Sequence, residues 1–360
     1  MAATRIAHDD ETRVTVGVDT HKDTHVARAK DQLGRRVGEK TIPTTPAGYT
    51  DLLAWARGLG AVETFGLEGT GSYGAGLARY LRRHGQVVVE VIRPNRQARR
   101  RNGKSDPADA DAAASAVLAG DAAGPPKAGD GAVEMVRALR VARSTAIKAR
   151  TQAANAMKAL VVTAPDQLRE SLRDLSKTEL VRTCARCRPG ELTGPTAATK
   201  TALRSLAARY EALEAEITAL DDQIEPVIAK YAPELIGLFG VGSDSAGVLL
   251  VAAGDNPERL RSEAAFSMLC GSSPVEASSG KVTRHRLNRG GDRQANAALY
   301  RIVLVRLRHH EATKNYMARR TTEGMSKKEI IRCLKRYVAR EIYAVLCLMA
   351  SDTTRSLDAA

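Results

Sequence analysis

Three short apolar patterns, at 13–19, 24–30 and 35–42, follow one another so closely that only tight turns can join them. Strands spaced this way pair as antiparallel hairpins. The polar His21-Lys22-Asp23 is the first such turn. A helical pattern runs from about Pro46 to Arg57. Strand 62–67, helix 73–84, strand 86–92 and a helix from about Pro107 to Leu118 follow. Strands separated by helices can return parallel, whereas strands separated by turns cannot. The order βββαβαβα therefore predicts a mixed sheet flanked by helices.

That is the order of a ribonuclease H-like fold. The Gly/Pro-rich stretch from Ala119 to Lys127 ends it. Long helical patterns then span about 131–162 and 196–231. In the second, Leu203, Leu206, Tyr210, Leu213, Ile217, Leu220, Ile224, Val227 and Tyr231 step by three and four, the seam of a coiled coil. A seam does not name its partner, so a hairpin within one chain and a dimerisation arm both fit. Pro226 is expected to kink or end this helix near its last turn. From about 232 the chain is again mostly helical. It opens on Leu238-Phe-Gly-Val-Gly-Ser, a glycine turn between helices that can aim backbone N–H groups at a phosphate. Three domains are expected: 1–125 (α/β), 126–231 (helical, coiled coil) and 232–360 (mostly helical).

The charge is lopsided. The formal net charge is +14, and residues 281–340 hold 17 Lys/Arg against 4 Asp/Glu. Residues 93–104 add six cations and no acid. Two such clusters point to a polyanionic partner. Aromatic residues make up only 4%, so phosphate contacts rather than base stacking should dominate. Five scattered cysteines do not form a disulfide framework, and Cys184-Ala-Arg-Cys187 lacks the second ligand pair that zinc needs. The N-terminal residues are polar, and no apolar run approaches the ~18 residues of a membrane span. A cytoplasmic, nucleoid-associated protein without membrane contact is expected.

Four carboxylates stand out. Asp19 ends the run Val14-Thr-Val-Gly-Val-Asp, and Glu68 ends Val62-Glu-Thr-Phe-Gly-Leu-Glu. Asp106 and Asp109 lie in Gly-Lys-Ser-Asp-Pro-Ala-Asp, three apart and so on one helical face. Asp111 would point elsewhere. Alone, Asp106 reads as a helix cap and Asp109 as a dipole-favoured residue. Together, at strand ends crossed by a helix start, the four suit Mg²⁺, which prefers hard oxygen ligands. Two such ions can serve phosphoryl transfer. Gly69-Thr-Gly-Ser-Tyr-Gly74, with Glu90 downstream, has the form of a dinucleotide fingerprint. It begins mid-domain and abuts Glu68, whose charge would repel a pyrophosphate. Asn102-Gly-Lys-Ser lacks the upstream glycine of a P-loop. Gly271-Ser-Ser-Pro-Val-Glu-Ala-Ser-Ser-Gly280, followed by Lys281, Arg284, His285, Arg286 and Arg289, offers hydroxyls amid cations. On the residues alone, an ordinary Ser/Gly loop is the simpler reading.

Gly17-Val-Asp-Thr-His-Lys-Asp-Thr-His-Val, Glu68-Gly-Thr-Gly-Ser-Tyr and Lys104-Ser-Asp-Pro-Ala-Asp-Ala resemble the DEDD-type insertion-sequence transposases. These are bridge-RNA-guided serine recombinases with a RuvC-like N-terminal domain. Gly240-Val-Gly through Ser278-Ser-Gly280 and Asn288-Arg-Gly-Gly-Asp resemble their C-terminal transposase domain. The resemblance implies an acidic quartet on Asp19, Glu68, Asp106 and Asp109 holding Mg²⁺. It also implies a nucleophilic serine on Ser278 that forms a covalent link to DNA, in a homo-oligomer (dimer or tetramer). The partners it implies are DNA, as element ends and target, and a structured guide RNA that supplies sequence specificity. Expected phosphate contacts are Arg99, Arg100, Arg101, Lys104, Lys281, Arg284, Arg286, Arg289 and Arg293. The serine loop departs from the pattern. Ala277 stands where a polar residue, often His, is common; Lys281 replaces a frequent second glycine; Ser272 and Ser273 stand where apolar residues are usual. Ser279 is the alternative nucleophile. The rival functions are a metal-only, junction-resolvase-like nuclease and a non-catalytic nucleic-acid-binding protein.

Overall fold

A computed structural model describes the backbone of residues 12–91, 105–122, 124–281 and 285–358, and side chains among them up to residue 349 apart from that of Glu258. These residues form two compact units. The first comprises the described residues of Met1–Gly131, Ala253–Ala265 and Ser356–Ala360; the second comprises those of Ala132–Ala252 and Phe266–Arg355.

In the first unit, β1 (Arg13–Thr20), β2 (Thr24–Asp31) and β3 (Arg36–Pro43) form the expected antiparallel meander. The 21–23 turn closes with a hydrogen bond from His21 N–H to Thr24 O, 3.1 Å. Next come α1 (Pro46–Leu59), β4 (Ala61–Glu68), α2 (Ala75–Arg83), β5 (Val88–Val91) and α3 (Asp106–Leu118). β4 lies parallel to β1, and β5 parallel to β4. The sheet order is β3-β2-β1-β4-β5, the mixed α/β, RuvC-like arrangement that the sequence predicts.

The two sheet faces are built differently, and this positions the site. Val14, Val16, Val18, Phe65 and Leu67 point to one face, where α1 and α2 cover them with Leu52, Leu53, Leu77 and Leu81. Burying this apolar set stabilises the unit. Alternation sends Gly17, Asp19, Gly66 and Glu68 to the other face. There α3 lies almost on the strands. A Cβ at Gly17 would sit 2.1 Å from Ala110 O and 2.3 Å from Ala114 N. A Cβ at Gly66 would sit 2.4 Å from Val117 Cγ2. Ala110, Ala113 and Ala114 are buried opposite these glycines. Small residues on both sides bring the helix axis close enough for short carboxylate side chains to meet. Asn256 ties the returning segment into this unit: its Oδ1 accepts from Ala128 N–H (2.8 Å) and its Nδ2 donates to Pro126 O (3.0 Å).

The second unit is mostly helical. α4 (Ala132–Val162) and α7 (Pro195–Tyr231) pack antiparallel within the chain. Arg143 pairs with Asp221, and Arg150 with Glu214 one turn pair further along. The short helices α5 (Asp166–Leu172) and α6 (Lys177–Ala185) close the tip over Met157, Val161, Leu203 and Ala207. Along the α7 seam, Leu203, Ile217 and Ile224 are buried, whereas Leu206, Leu213, Leu220 and Val227 are half-buried. α7 runs through Pro226 to Tyr231, so the proline does not end it. Pro226 is exposed, and Pro233 follows the helix end. Beyond lie α8 (Pro233–Gly237), α9 (Ser243–Ala253), α10 (Glu263–Leu269), a two-stranded ribbon of β6 (Val275–Glu276) and β7 (His285–Arg286), α11 (Arg293–His309), α12 (Glu311–Thr322) and α13 (Lys327–Asp358).

Candidate functional site

The β1–β4 register pairs Gly17 with Gly66 and Val18 with Leu67, so Asp19 and Glu68 are the next residues on neighbouring parallel strands. Both belong to the face that α3 crosses. Asp19 is buried. Burial raises its carboxyl above the usual range, and the charges of Glu68 and Asp109 raise it further, while His21 lowers it. Glu68 and Asp109 are thus near enough to Asp19 for their charges to act on it. Asp109 is buried and Glu68 half-buried. Asp106 joins through His21, whose Nε2 lies 3.1 Å from Asp19 Oδ2 and 3.2 Å from Asp106 Oδ1. Asp19, His21 and Asp106 offer ligand atoms all within 4.8 Å of one another.

Asp106 is not the helix cap. Ser105 holds that position, with its carbonyl accepting from Ala108 and Asp109 N–H, and Asp106 is the first helical residue. The helix N-terminus favours negative charge at this point. Asp111 points away, pairing with Lys30 (2.9 Å) and Arg36 (3.4 Å). The glycine loop after Glu68 closes on itself. Thr70 Oγ1 donates to Glu90 Oε1 at 2.7 Å, so the acid that a dinucleotide fingerprint would direct at a ribose is bound to the loop.

The serine loop belongs to the second unit. Ser278 and Ser279 are exposed, beyond the ribbon in which Val275 faces Arg286 and Glu276 faces His285. The foot of the loop is fixed. Gly271, with φ +63°, meets Gly291, where a Cβ would lie 2.6 Å from Gly271 N. Asn296 Nδ2 donates to Cys270 O (2.8 Å) and Gly271 O (2.9 Å). Lys335, itself buried, donates to Asn296 Oδ1 at 2.9 Å. Burial lowers the Lys335 ammonium below its ordinary range. Ser272, out of place in the expected pattern, is buried and satisfied: its Oγ lies 2.7 Å from Ser267 Oγ and donates to Ser267 O at 3.1 Å. A pair of hydroxyls replaces apolar packing there without leaving a polar group unmet.

Lys281, Arg286, Arg289 and Arg293 are exposed around this ribbon. Arg99, Arg100, Arg101, Lys104 and Arg284 lie outside the described residues. Leu238–Gly242 forms the expected turn between α8 and α9. Buried Arg306 holds it, donating to Phe239 O at 2.8 Å. Cys184 is buried at the end of α6 and its thiol is pushed up to about 11, as befits an ordinary helix-end thiol.

Comparison with known proteins agrees with this layout. A DEDD-type IS110 model described as "Transposase" matches residues 16–164, and one described as "Transposase IS116/IS110/IS902 family" matches residues 232–318. The chain belongs to the IS110/IS116/IS902 family of DEDD-type transposases. It is also 29% identical over 153 residues to the "Insertion element IS110 uncharacterized 43.6 kDa protein" of Streptomyces coelicolor. That match covers 42% of this chain and 36% of the relative, so the chain spans about a third of the relative's length. The first transposase match contains the whole acidic cluster, and the second contains the serine ribbon and Asn296. Helices α5 to α7 fall between the two matches, and Lys335 falls beyond them.

Three residues in these clusters are hard to find from sequence. His21 stands two residues after Asp19, a spacing that places side chains on one side of an extended chain. In the sequence it reads only as part of a turn. Asn296 and Lys335 carry no local signal, because their role depends on partners 25 to 39 residues away in sequence.

Proposed function

We propose that this chain is the transposase of an insertion sequence, cutting and exchanging DNA strands under the direction of a structured guide RNA. The convergence of Asp19, His21 and Asp106 beneath the N-terminus of α3, with the charges of Glu68 and Asp109 acting on Asp19, supports this reading most directly. The donor set fits a hard divalent cation, because Asp19, Glu68, Asp106 and Asp109 supply carboxylate oxygens. Mg²⁺ held there would shield phosphate charge and favour an oxygen nucleophile. A second ion would draw on Glu68 and Asp109.

Ser278 is the proposed nucleophile. Its Oγ bonds to phosphorus as one P–O ester bond breaks, and its proton goes to the departing sugar oxygen. Attack by the sugar hydroxyl of another strand reverses the step and rejoins DNA in a new order. Exposed Lys281, Arg286, Arg289 and Arg293 would hold the phosphates on either side. Hydrogen bonds at Ser272, Asn296 and Lys335 keep the foot of the loop fixed, which supports a positioned hydroxyl rather than a loose Ser/Gly segment. The half-buried side of the α7 seam supports assembly as a dimer or tetramer.

The test compares Asp19→Asn, Ser278→Ala and the unaltered protein with element-end DNA, guide RNA and Mg²⁺. Both variants should bind nucleic acid and neither should recombine it. Cutting that survives Ser278→Ala but not Asp19→Asn would favour a metal-only nuclease. Full activity in both would overturn the proposal.

A further inference from the structure

At the tip of the α4–α7 hairpin, α6 and the start of α7 enclose a cleft of about 420 Å³ lined by Arg182, Thr183, Arg186, Cys187, Arg188 and Lys200. Four of its six lining residues are cations and none is an acid. Arg182, Arg186 and Arg188 are exposed and Lys200 is half-buried. Among the described residues none of the four forms an ion pair. Five other arginines of the same unit are paired. Arg137 pairs with Glu134, Arg143 with Asp221, Arg150 with Glu214, Arg169 with Asp166, and Arg173 with Glu170. Glu179, the nearest acid on α6, is held in a capping box with Ser176; the charge of Arg182 acts on it, but the two form no direct ion pair.

Like charges gathered in a concave surface repel one another and cost stability unless an anion joins them. Here the fold assembles them with care. Buried Leu180, Val181 and Cys184 anchor one face of α6 in the hairpin core, and so turn Arg182, Thr183 and Arg186 outward together. No aromatic residue lines the cleft, so it offers no platform for base stacking. Guanidinium groups and a hydroxyl match phosphate oxygens instead.

We propose that this cleft is a second nucleic-acid site, separate from the serine ribbon and outside both family matches, that grips the phosphodiester backbone of a nucleic-acid segment without reading its sequence. The site stands on its own charge and shape and does not depend on the strand-exchange chemistry.

The experiment uses the full chain with two probes, a random-sequence DNA duplex and a random-sequence RNA hairpin. A variant carrying Arg182→Gln, Arg186→Gln and Arg188→Gln is compared with a control of equal charge change, Arg137→Gln, Arg169→Gln and Arg173→Gln, in which each arginine has an acidic partner. For the cleft variant we expect at least ~10-fold weaker binding at low salt and a log K against log salt slope shallower by about 2 to 3, one neutralised phosphate per arginine. The control should change far less. A loss with the DNA probe alone, or with the RNA probe alone, supports the site and identifies its occupant. Equal behaviour of the two variants with both probes would overturn it. A second readout uses the unaltered protein. Bound nucleic acid should slow alkylation of half-buried Cys187 in the cleft wall, and an unchanged rate at saturating probe would also overturn the proposal.

Discussion

Burial and the charges of Glu68 and Asp109 raise the Asp19 carboxyl, and only the His21 contact opposes them. A carboxyl raised in the folded state adds most to stability when protonated, and that contribution is lost as pH rises through its folded pKa. At neutral pH, then, the ionised Asp19 works against the metal-free fold. Asp19→Asn should leave the melting temperature of the metal-free protein unchanged or higher, and should abolish the rise expected of the unaltered protein with Mg²⁺. A lower melting temperature with the Mg²⁺ effect intact, read by thermal melts with and without the ion, would make Asp19 a structural residue. Asp19 and Glu68 are legible in the sequence because each ends an apolar run, where a buried charge needs a purpose. His21 is not, since a histidine in a polar turn looks like any solvated residue until the helix start arrives beside it.

At the scale of elements, the position of α3 depends on Gly17 and Gly66. Gly17→Val would drive two methyl groups into the Ala110 and Ala114 backbone. Overpacking of this kind costs about 1–3 kcal/mol. The variant should melt earlier and lose Mg²⁺ stabilisation, because α3 carries Asp106 and Asp109. Unchanged Mg²⁺ stabilisation would show that the cluster tolerates a displaced helix. Lys335→Met tests the other site. It keeps the bulk of a buried side chain but removes the donor to Asn296 Oδ1, leaving that acceptor unmet at a cost of about 1–3 kcal/mol. Strand cleavage should fall while the Mg²⁺ thermal shift stays normal. An unchanged cleavage rate would show that the lysine only fills space. The eight elements of the α/β unit are readable in sequence to within a few residues, because period-2 and period-3.6 patterns alternate cleanly. The passage of α7 through Pro226 is not, since exposed helix surface tolerates one missing hydrogen bond when flanking turns are packed.

Across the whole molecule, the proposed function rests nucleic-acid binding on positive charge. Neutralising Arg286, Arg289 and Arg293 to Gln should weaken nucleic-acid binding and flatten its salt dependence by about 0.9 for each phosphate left without its cation. An unchanged slope would place the binding face elsewhere. Leu213→Asp, on the half-buried side of the α7 seam, should lower the mass in solution while helical content persists. An unchanged mass would confine the seam to the intrachain hairpin. Among the described residues, no helix is long and apolar enough to cross a membrane. The seam is legible in sequence, but its partner is not: an apolar stripe has the same spacing whether a neighbouring helix or a second copy covers it. The most direct test of the proposed chemistry is a denaturing gel of the protein after incubation with Mg²⁺, element-end DNA and RNA transcribed from the element's flank. The serine mechanism predicts a covalent protein–DNA adduct that vanishes in Ser278→Ala and persists in Ser279→Ala. An adduct that persists in Ser278→Ala, or DNA cut in an Asp19-dependent way with no adduct at all, would contradict it.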